Sequence, residues 1–193
     1  MLIDKQYELI YLDPPWAYNS KACHTTSFRG GACGHYNVMK MADLANLDFA
    51  RVSAPNSVMM MWGTAPMLPE QIKLMEHWGW KYKTIGFVWI KLNKKANSFF
   101  MGPGAYTRAN SEFVLIGVRG KYQAPEARNI FQPILSRLEQ HSRKPDVARH
   151  RIELLYPQLL PRAEFFATEV SEGWDCYGFA IDGMDVRDYV GIK

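Results

Sequence analysis

One acidic residue, Asp13, stands between an apolar run and two prolines in the stretch IYLDPPWAY, residues 10–18. Proline has no N–H to donate, whereas its carbonyl oxygen still accepts, and an ionised aspartate also only accepts. Asp13, Pro14, Pro15 and Trp16 therefore place hydrogen-bond acceptors on a stiff backbone beside an aromatic face. This combination suits a planar ligand that carries an amino group, and the exocyclic amine of adenine fits that description.

The Asp13 carboxylate and the Pro14 carbonyl are predicted to take one amino hydrogen each, while Trp16 covers the ring. Such hydrogen bonds fix a base in place and orient the nitrogen lone pair for attack. The alternative is a structural turn in which Asp13 caps the backbone and Trp16 belongs to the core. The position of the tetrapeptide, after an apolar run and before a long polar segment, favours the catalytic interpretation.

Periodicity indicates the elements that would position these residues. Runs that are apolar nearly throughout predict strands covered on both faces, at residues 7–13, 57–62, 85–90, 112–117 and 163–167. Helical spacing predicts helices over 67–79, which Gly79 stops, and over 145–156, with Pro145 in the first turn. The alternation of strand and helix indicates an α/β fold with a mostly parallel sheet. Ligands of such sheets bind outside the carboxyl ends of the strands, where Asp13 would lie.

Two long segments without periodicity, residues 19–39 and 92–111, are rich in Gly, Ser, Asn and basic residues. Loops of about 20 residues in a compact domain are usually functional or disordered. Basic residues that occupy or flank these segments are candidates for phosphate contacts, with a solvated surface as the alternative for each: Lys21, Arg29, His35, Lys91, Lys94, Lys95 and Arg108. Tyr18, Tyr36 and Tyr106 are candidates for stacking on an extruded base, over which the 19–39 loop is expected to close.

Four potential zinc ligands occur within residues 23–35: Cys23, His24, Cys33 and His35. Two of them are adjacent and the other two are separated by one residue, which departs from the usual spacing of zinc ligands. No metal site is predicted.

The DPPW tetrapeptide after an apolar strand resembles the signature of the MT-A70 family, the amino-methyltransferases that make N6-methyladenine. Further segments are similar to the family's other blocks and follow in the same order: GHYNVM (34–39), the strand, helix and W-x-K series of 59–91, GAYTRANSEFVLIGVRG (104–120), HSRKPD (141–146) and AEFFATEVSEGWDCYG (163–178). The resemblance covers nearly the whole chain, which we interpret as one domain over 1–193.

The resemblance implies a Rossmann-like methyltransferase fold with permuted motif order, and S-adenosylmethionine (SAM) as the methyl donor. Lys144 and Pro145 precede a helix whose N-terminus suits the methionine carboxylate, and Glu164 suits the ribose hydroxyls. Thr168 stands where the family often has Arg. The cofactor residues carried over from the family are Lys144, Pro145, Glu164, Phe166, Ala167, Thr168, Trp174 and Gly178. An exposed lysine is the alternative for Lys144, and a place in the core is the alternative for Phe166 and Trp174.

The substrate-binding candidates are Tyr18, Tyr36, Lys91, Arg108 and Glu112. For Glu112 two roles stay open, binding a base edge or holding the first loop. The resemblance implies SAM-dependent methylation of the adenine N6 amine in DNA, with RNA as the second choice. The alternatives are methylation of the cytosine N4 amine and a non-catalytic nucleic-acid-binding subunit, against which the intact Asp13–Trp16 signature argues.

Composition restricts the setting in which the protein works. The net charge of +4 in 193 residues permits a polyanionic partner without requiring one. Three cysteines favour a reducing compartment, and neither a secretion signal nor a membrane span is visible. We expect a cytoplasmic protein, which either dimerises to build its substrate groove or reads only a short site.

Overall fold

The computed structural model describes residues 2–17, 38–104, 106–139 and 143–193. In this part of the chain one sheet contains seven strands: β1 (Tyr7–Leu12), β2 (Ser53–Gly63), β3 (Lys81–Leu92), β4 (Ser111–Arg119), β5 (Pro133–Arg137), β6 (Arg162–Phe165) and β7 (Asp175–Tyr177). Its α-helices are α1 (Met41–Ala45), α2 (Leu68–His77), α3 (Asp146–Leu155), α4 (Phe179–Asp182) and α5 (Val186–Val190), and a 3₁₀ turn at Ala65–Met67 leads into α2. None of these helices is long and apolar enough to cross a membrane.

The strand order is β5-β3-β4-β2-β1-β6-β7, and every neighbouring pair is parallel except the two that contain β4. Residues 93–110, which connect β3 to β4, contain no helix among their described residues, and the chain turns back along β3. The first residues of β4 therefore lie at the end of the sheet where the other strands finish, the carboxyl end of those strands. The predicted mostly parallel, Rossmann-like α/β fold is confirmed.

Side chains of β1 alternate between two hydrophobic clusters, one on each face of the sheet. Ile10 and Leu12 pack in the cluster that includes residues of α1, α2 and α5. Leu9 and Tyr11 pack in the cluster that includes residues of α3. Burial of both faces explains why the strand reads as a continuous apolar run, as predicted.

The five predicted strands and both predicted helices are present, with small differences at their ends. Gly79 follows α2 with a φ of +103°, which only glycine adopts without strain, so it stops the helix as predicted. Pro145 has extended backbone and is the N-cap of α3, so its predicted place in the first turn was wrong. Strand β6 ends at Phe165 because Phe166 has a φ of +60° and leaves the extended conformation.

Candidate active site

The Asp13–Trp16 tetrapeptide follows β1, which lies between β2 and β6 inside the sheet. The Trp16 N–H donates to the Pro14 carbonyl at 2.9 Å, and the Met39 N–H donates to the Pro15 carbonyl at 2.8 Å. The turn is therefore fixed both by its own prolines and by the chain around Met39. Each carbonyl oxygen keeps a second lone pair, so Pro14 can still accept a hydrogen bond from a ligand.

Four charged side chains form what we call the lysine–carboxylate cluster: Asp13, Lys91, Glu112 and Lys144. The Lys144 ammonium lies 2.6 Å from Asp13 Oδ2 and 3.2 Å from Glu112 Oε2. Lys91 pairs with the other oxygen of Glu112. These groups come from four segments of the chain. Asp13 follows β1, Lys91 lies near the end of β3, Glu112 lies near the start of the antiparallel β4, and Lys144 lies two residues before α3.

Two tryptophans lie against the ammonium groups of this cluster. The Lys144 nitrogen is 5.4 Å from the Trp62 ring centroid, and the Lys91 nitrogen is 4.8 Å from that of Trp89. The two indoles pack edge to face at 6.0 Å, and the Trp62 N–H donates to the Tyr11 hydroxyl. The aromatic surface attracts the cations but excludes water from one side of the cluster, so the ammonium groups depend on their carboxylate partners.

Burial would lower the pKa of Lys144, but the carboxylates of Asp13 and Glu112 outweigh it and raise that pKa above its ordinary value. Burial would raise the pKa of the Glu112 carboxyl, but Lys144 and Lys91 outweigh burial and hold that pKa below its usual range. Burial raises the pKa of Asp13, an effect that Lys144 opposes and Glu112 strengthens. Of the two carboxylates, Asp13 is therefore the one that takes up a proton more readily.

A second ion pair joins α3 to β6 beside the cluster. Arg149 Nε donates to Glu164 Oε2 at 3.0 Å, and Arg149 Nη2 lies 2.9 Å from the same oxygen. Glu164 lies opposite Tyr11 in the register of β6 and β1. Burial raises the pKa of Glu164, and the Arg149 guanidinium opposes that rise. Both contacts use Oε2, so Oε1 faces neither Arg149 nitrogen at bonding distance.

The chain after β6 makes a close backbone contact with the chain after β7. The Ala167 N–H donates to the Tyr177 carbonyl at 3.0 Å, and a Cβ at Gly178 would lie 2.3 Å from the Ala167 oxygen. Only glycine permits this approach. Thr168 is exposed just beyond it, while Phe166 is half-buried against the core.

Two tryptophans that sequence reasoning assigned to ligand binding have little exposed surface. Trp16 is 5 % exposed and belongs to the core cluster on the α2 face. Trp174 is buried on the other face, packs on Tyr11 at 5.9 Å and donates to Glu153 at 2.7 Å. Their packing is that of core residues, and their contacts with a base or a cofactor stay predictions.

Several predicted residues lie apart from the cluster or outside the described residues. Arg108 and Tyr106 are exposed in the 93–110 segment. The predicted closure of the 19–39 loop and the candidates between residues 18 and 36 lie outside the described residues: Tyr18, Lys21, Cys23, His24, Arg29, Cys33, His35 and Tyr36. Glu112, for which two roles stood open, contacts two lysines in the described part of the chain.

Sequence reasoning did not identify Trp62, Trp89 or Arg149 as part of the site. Trp62 and Trp89 carried a usable signal, because each ends or nearly ends a predicted apolar strand on the ligand-binding edge. Arg149 carried a weaker one, its place on the predicted helix that follows Lys144.

Comparisons with known proteins identify the family of the chain. The MT-A70 family model matches residues 7–180, which include every strand of the sheet and the whole lysine–carboxylate cluster. The Type II methyltransferase M.MunI of Mycoplasma sp is 35% identical to the chain over 191 residues, which is 92% of this chain and 78% of that protein. The chain therefore belongs to the MT-A70 family and is a methyltransferase.

Proposed function

We propose that this methyltransferase transfers a methyl group from SAM to the N6 amine of adenine in DNA. The observation that carries the proposal is the position of Asp13, a carboxylate fixed by two prolines at the carboxyl end of β1 and paired with Lys144 at 2.6 Å. An ionised carboxylate beside a carbonyl with a free lone pair matches the two hydrogens of an exocyclic amine.

Asp13 accepts one hydrogen of the amine and Pro14 accepts the other, which directs the nitrogen lone pair away from both acceptors. In the structure the Lys144 ammonium contacts Oδ2 of Asp13, so an amine that binds this oxygen has to share or displace the ammonium. Glu112, 3.2 Å from the same ammonium, keeps Lys144 paired when this contact loosens. An unpaired buried ammonium would be costly, so the second carboxylate makes the exchange feasible.

The amine nitrogen attacks without prior loss of a proton, since its neutral form already carries a lone pair. When bound, SAM supplies an electrophilic methyl group on a sulfonium. After transfer the nitrogen bears one proton too many, and the Asp13 carboxylate, which already accepts from the amine, can take it. Its raised pKa suits a carboxylate that receives this proton for a moment before water takes it.

The chain offers groups that fit each part of SAM. The N-terminus of α3 with Lys144 suits the methionine carboxylate, although Lys144 also contacts two carboxylates of the protein. Glu164 Oε1 suits a ribose hydroxyl, since Arg149 holds only the other oxygen. The close backbone contact of Ala167 with Gly178 lines the same edge of the sheet. We assign SAM to this side of Asp13.

Two features bear on the choice of nucleic acid and base. The likeness to a Type II methyltransferase favours DNA over RNA as the substrate of this chain. The cytosine N4 amine presents a similar pair of hydrogens, and its methylation is the alternative that experiment has to separate.

Incubation of the protein with methyl-labelled SAM and unmethylated DNA, or matched RNA, tests the proposal. Digestion to nucleosides and mass spectrometry should place the label in N6-methyldeoxyadenosine. Label in N4-methyldeoxycytidine would show that the methylated base is cytosine and not adenine. Label in RNA alone would contradict the DNA assignment. Binding of DNA without any label would favour a non-catalytic subunit.

A further inference from the structure

The segment between β3 and β4, residues 93–110, exposes three large side chains beside the active site. Phe99 is 64% exposed, Met101 is 74% exposed and Tyr106 is fully exposed. The segment contains Lys94, Lys95 and Arg108 but no acidic residue. We call it the β3–β4 loop.

Hydrogen bonds fix the backbone around the exposed Phe99. The Asn93 N–H donates to the Ser98 carbonyl at 2.9 Å, and the Asn93 side chain donates to the Ser98 hydroxyl at 2.8 Å. Leu92 and Phe99 form an antiparallel bridge. A Cβ at Gly102 would lie 1.9 Å from the Ala109 oxygen, so the two arms of the loop also touch further along. The loop thus presents Phe99 and Met101 from a braced backbone.

The loop begins and ends at the lysine–carboxylate cluster. The Lys91 N–H donates to the Asn110 carbonyl at 2.8 Å, and the Lys91 carbonyl accepts from the Phe100 N–H at 2.9 Å. The Lys91 side chain pairs with Glu112. Glu112 also contacts Lys144, and Lys144 contacts Asp13. The loop that exposes Phe99 and Met101 is therefore anchored at the cluster that contains Asp13.

Charge decides which partner suits this apolar surface. A second copy of the chain docked loop to loop would bring Lys94, Lys95 and Arg108 against their own equivalents, with no acid in either loop. A nucleic acid offers phosphates to the cations and stacked bases to the apolar side chains. Apolar side chains that enter a base stack are a recurrent means of unstacking duplex DNA, and an enzyme that modifies a base must extrude it.

We propose that Phe99 and Met101 form a wedge that enters the base stack of duplex DNA next to the extruded adenine, while Lys94, Lys95 and Arg108 contact the flanking phosphates. The wedge occupies space that the base leaves and so lowers the free energy of extrusion. This inference rests on the proposed function, because the extruded base is the one that Asp13 binds.

The test compares Phe99→Ala/Met101→Ala with a control, Tyr122→Ala/Phe131→Ala, which removes two side chains of similar exposure. Tyr122 follows the end of the antiparallel β4, and Phe131 precedes β5, so both lie toward the opposite edge of the sheet. For each variant kcat/KM is measured on a fully paired duplex and on the same duplex with the target base mismatched. A mismatched base costs less to extrude.

The wedge variant should lose at least about tenfold in kcat/KM on the paired duplex, about 1.4 kcal/mol, and little on the mismatched one. The control should match the unmodified protein on both. Equal loss on the two duplexes, or no loss on the paired one, would overturn the wedge. So would a change of the wedge variant from dimer to monomer in sedimentation, since the surface would then be a contact between copies.

Permanganate oxidation of unpaired thymines in a random duplex pool separates the two proposals, because it needs no methyl transfer. Oxidation that depends on Phe99 and Met101 without any N6-methyladenine would retain the wedge and remove the proposed function. Adenine methylation together with equal thymine oxidation in the presence of the unmodified protein and of Phe99→Ala/Met101→Ala would support the proposed function and contradict the wedge.

Discussion

At the residue scale, the role proposed for Asp13 makes two opposing demands on its carboxyl. The proposal needs the ionised form to accept a hydrogen from the amine, yet burial raises the pKa of Asp13. The Lys144 ammonium at 2.6 Å works against burial and favours the ionised form. In the proposed function Lys144 would thus act on substrate binding through Asp13, besides any contact with the cofactor.

Replacement of Lys144 by methionine should therefore shift the acid limb of the pH profile of kcat/KM to higher pH. Activity needs the Asp13 carboxylate, so it falls as pH drops through the pKa of Asp13, and loss of the cation raises that pKa. Kinetics over a pH series check this. The control is Lys5→Met, because Lys5 lies 2.6 Å from Asp175 and precedes β1 at the opposite end of the strand. An unmoved limb in Lys144→Met would show that the cation does not tune Asp13.

Asp13→Asn should lower kcat by at least about 100-fold, the loss typical of one preorganised catalytic hydrogen bond. The amide keeps the size of the side chain but can turn a donor toward the amine. Glu112 still lies 3.2 Å from the Lys144 ammonium in this variant, so the buried cation keeps a carboxylate partner and the melting temperature should fall only slightly. Asp4→Asn, exposed before β1, is the matched control. Near-normal turnover of Asp13→Asn would remove Asp13 from catalysis.

The sequence predicted Asp13, Lys144 and Glu112 as separate site residues but not their mutual contacts. They belong to segments that are far apart in the chain, and no local pattern links a lysine before α3 to a carboxylate after β1. The orientation of β4 brings Glu112 to this edge, and that orientation is a property of the whole sheet.

At the element scale, apolar runs predicted the long buried strands because both faces of the sheet are covered. The edge strands β5 and β7 escaped prediction for the opposite reason. Strand β5 begins with Pro133 and alternates in exposure, and β7 has only three residues. The helices α1, α4 and α5 have five residues or fewer, too few to show a helical period.

Helix α3 is the element that joins the two charged groups of the site, since it follows Lys144 and carries Arg149. Arg149→Met would leave Glu164 unpaired where only 14% of its side chain is exposed. We expect a loss of about 2–4 kcal/mol in the free energy of unfolding, measured by urea denaturation, near the lower range for breaking a buried ion pair. The double variant Arg149→Met/Glu164→Gln should recover much of it, because neither charge remains. Equal instability of the two variants would point to lost packing of the Arg149 side chain.

At the scale of the whole molecule, a net charge of +4 says little until the basic residues are placed on the sheet. Strand β3 has two exposed lysines at each end, Lys81 and Lys83 where it begins and Lys94 and Lys95 just after it stops. Only Lys94 and Lys95 lie at the carboxyl end of the parallel strands, where Asp13 lies. The two pairs therefore allow the same change of charge to be made at opposite ends of one strand.

Lys94→Gln/Lys95→Gln should weaken DNA binding and reduce the slope of log K against log salt by about 1–2, since each phosphate contact releases roughly one counterion. Lys81→Gln/Lys83→Gln carries the same net charge and should leave the slope unchanged. Titration of a labelled duplex at several salt concentrations measures both. If the two variants lost the same slope, DNA would respond to the total charge of the molecule and the β3–β4 loop would not be its contact. If neither variant changed the slope, the DNA phosphates would contact other residues of the chain. Adenine would then have to approach Asp13 by a route that does not pass the β3–β4 loop.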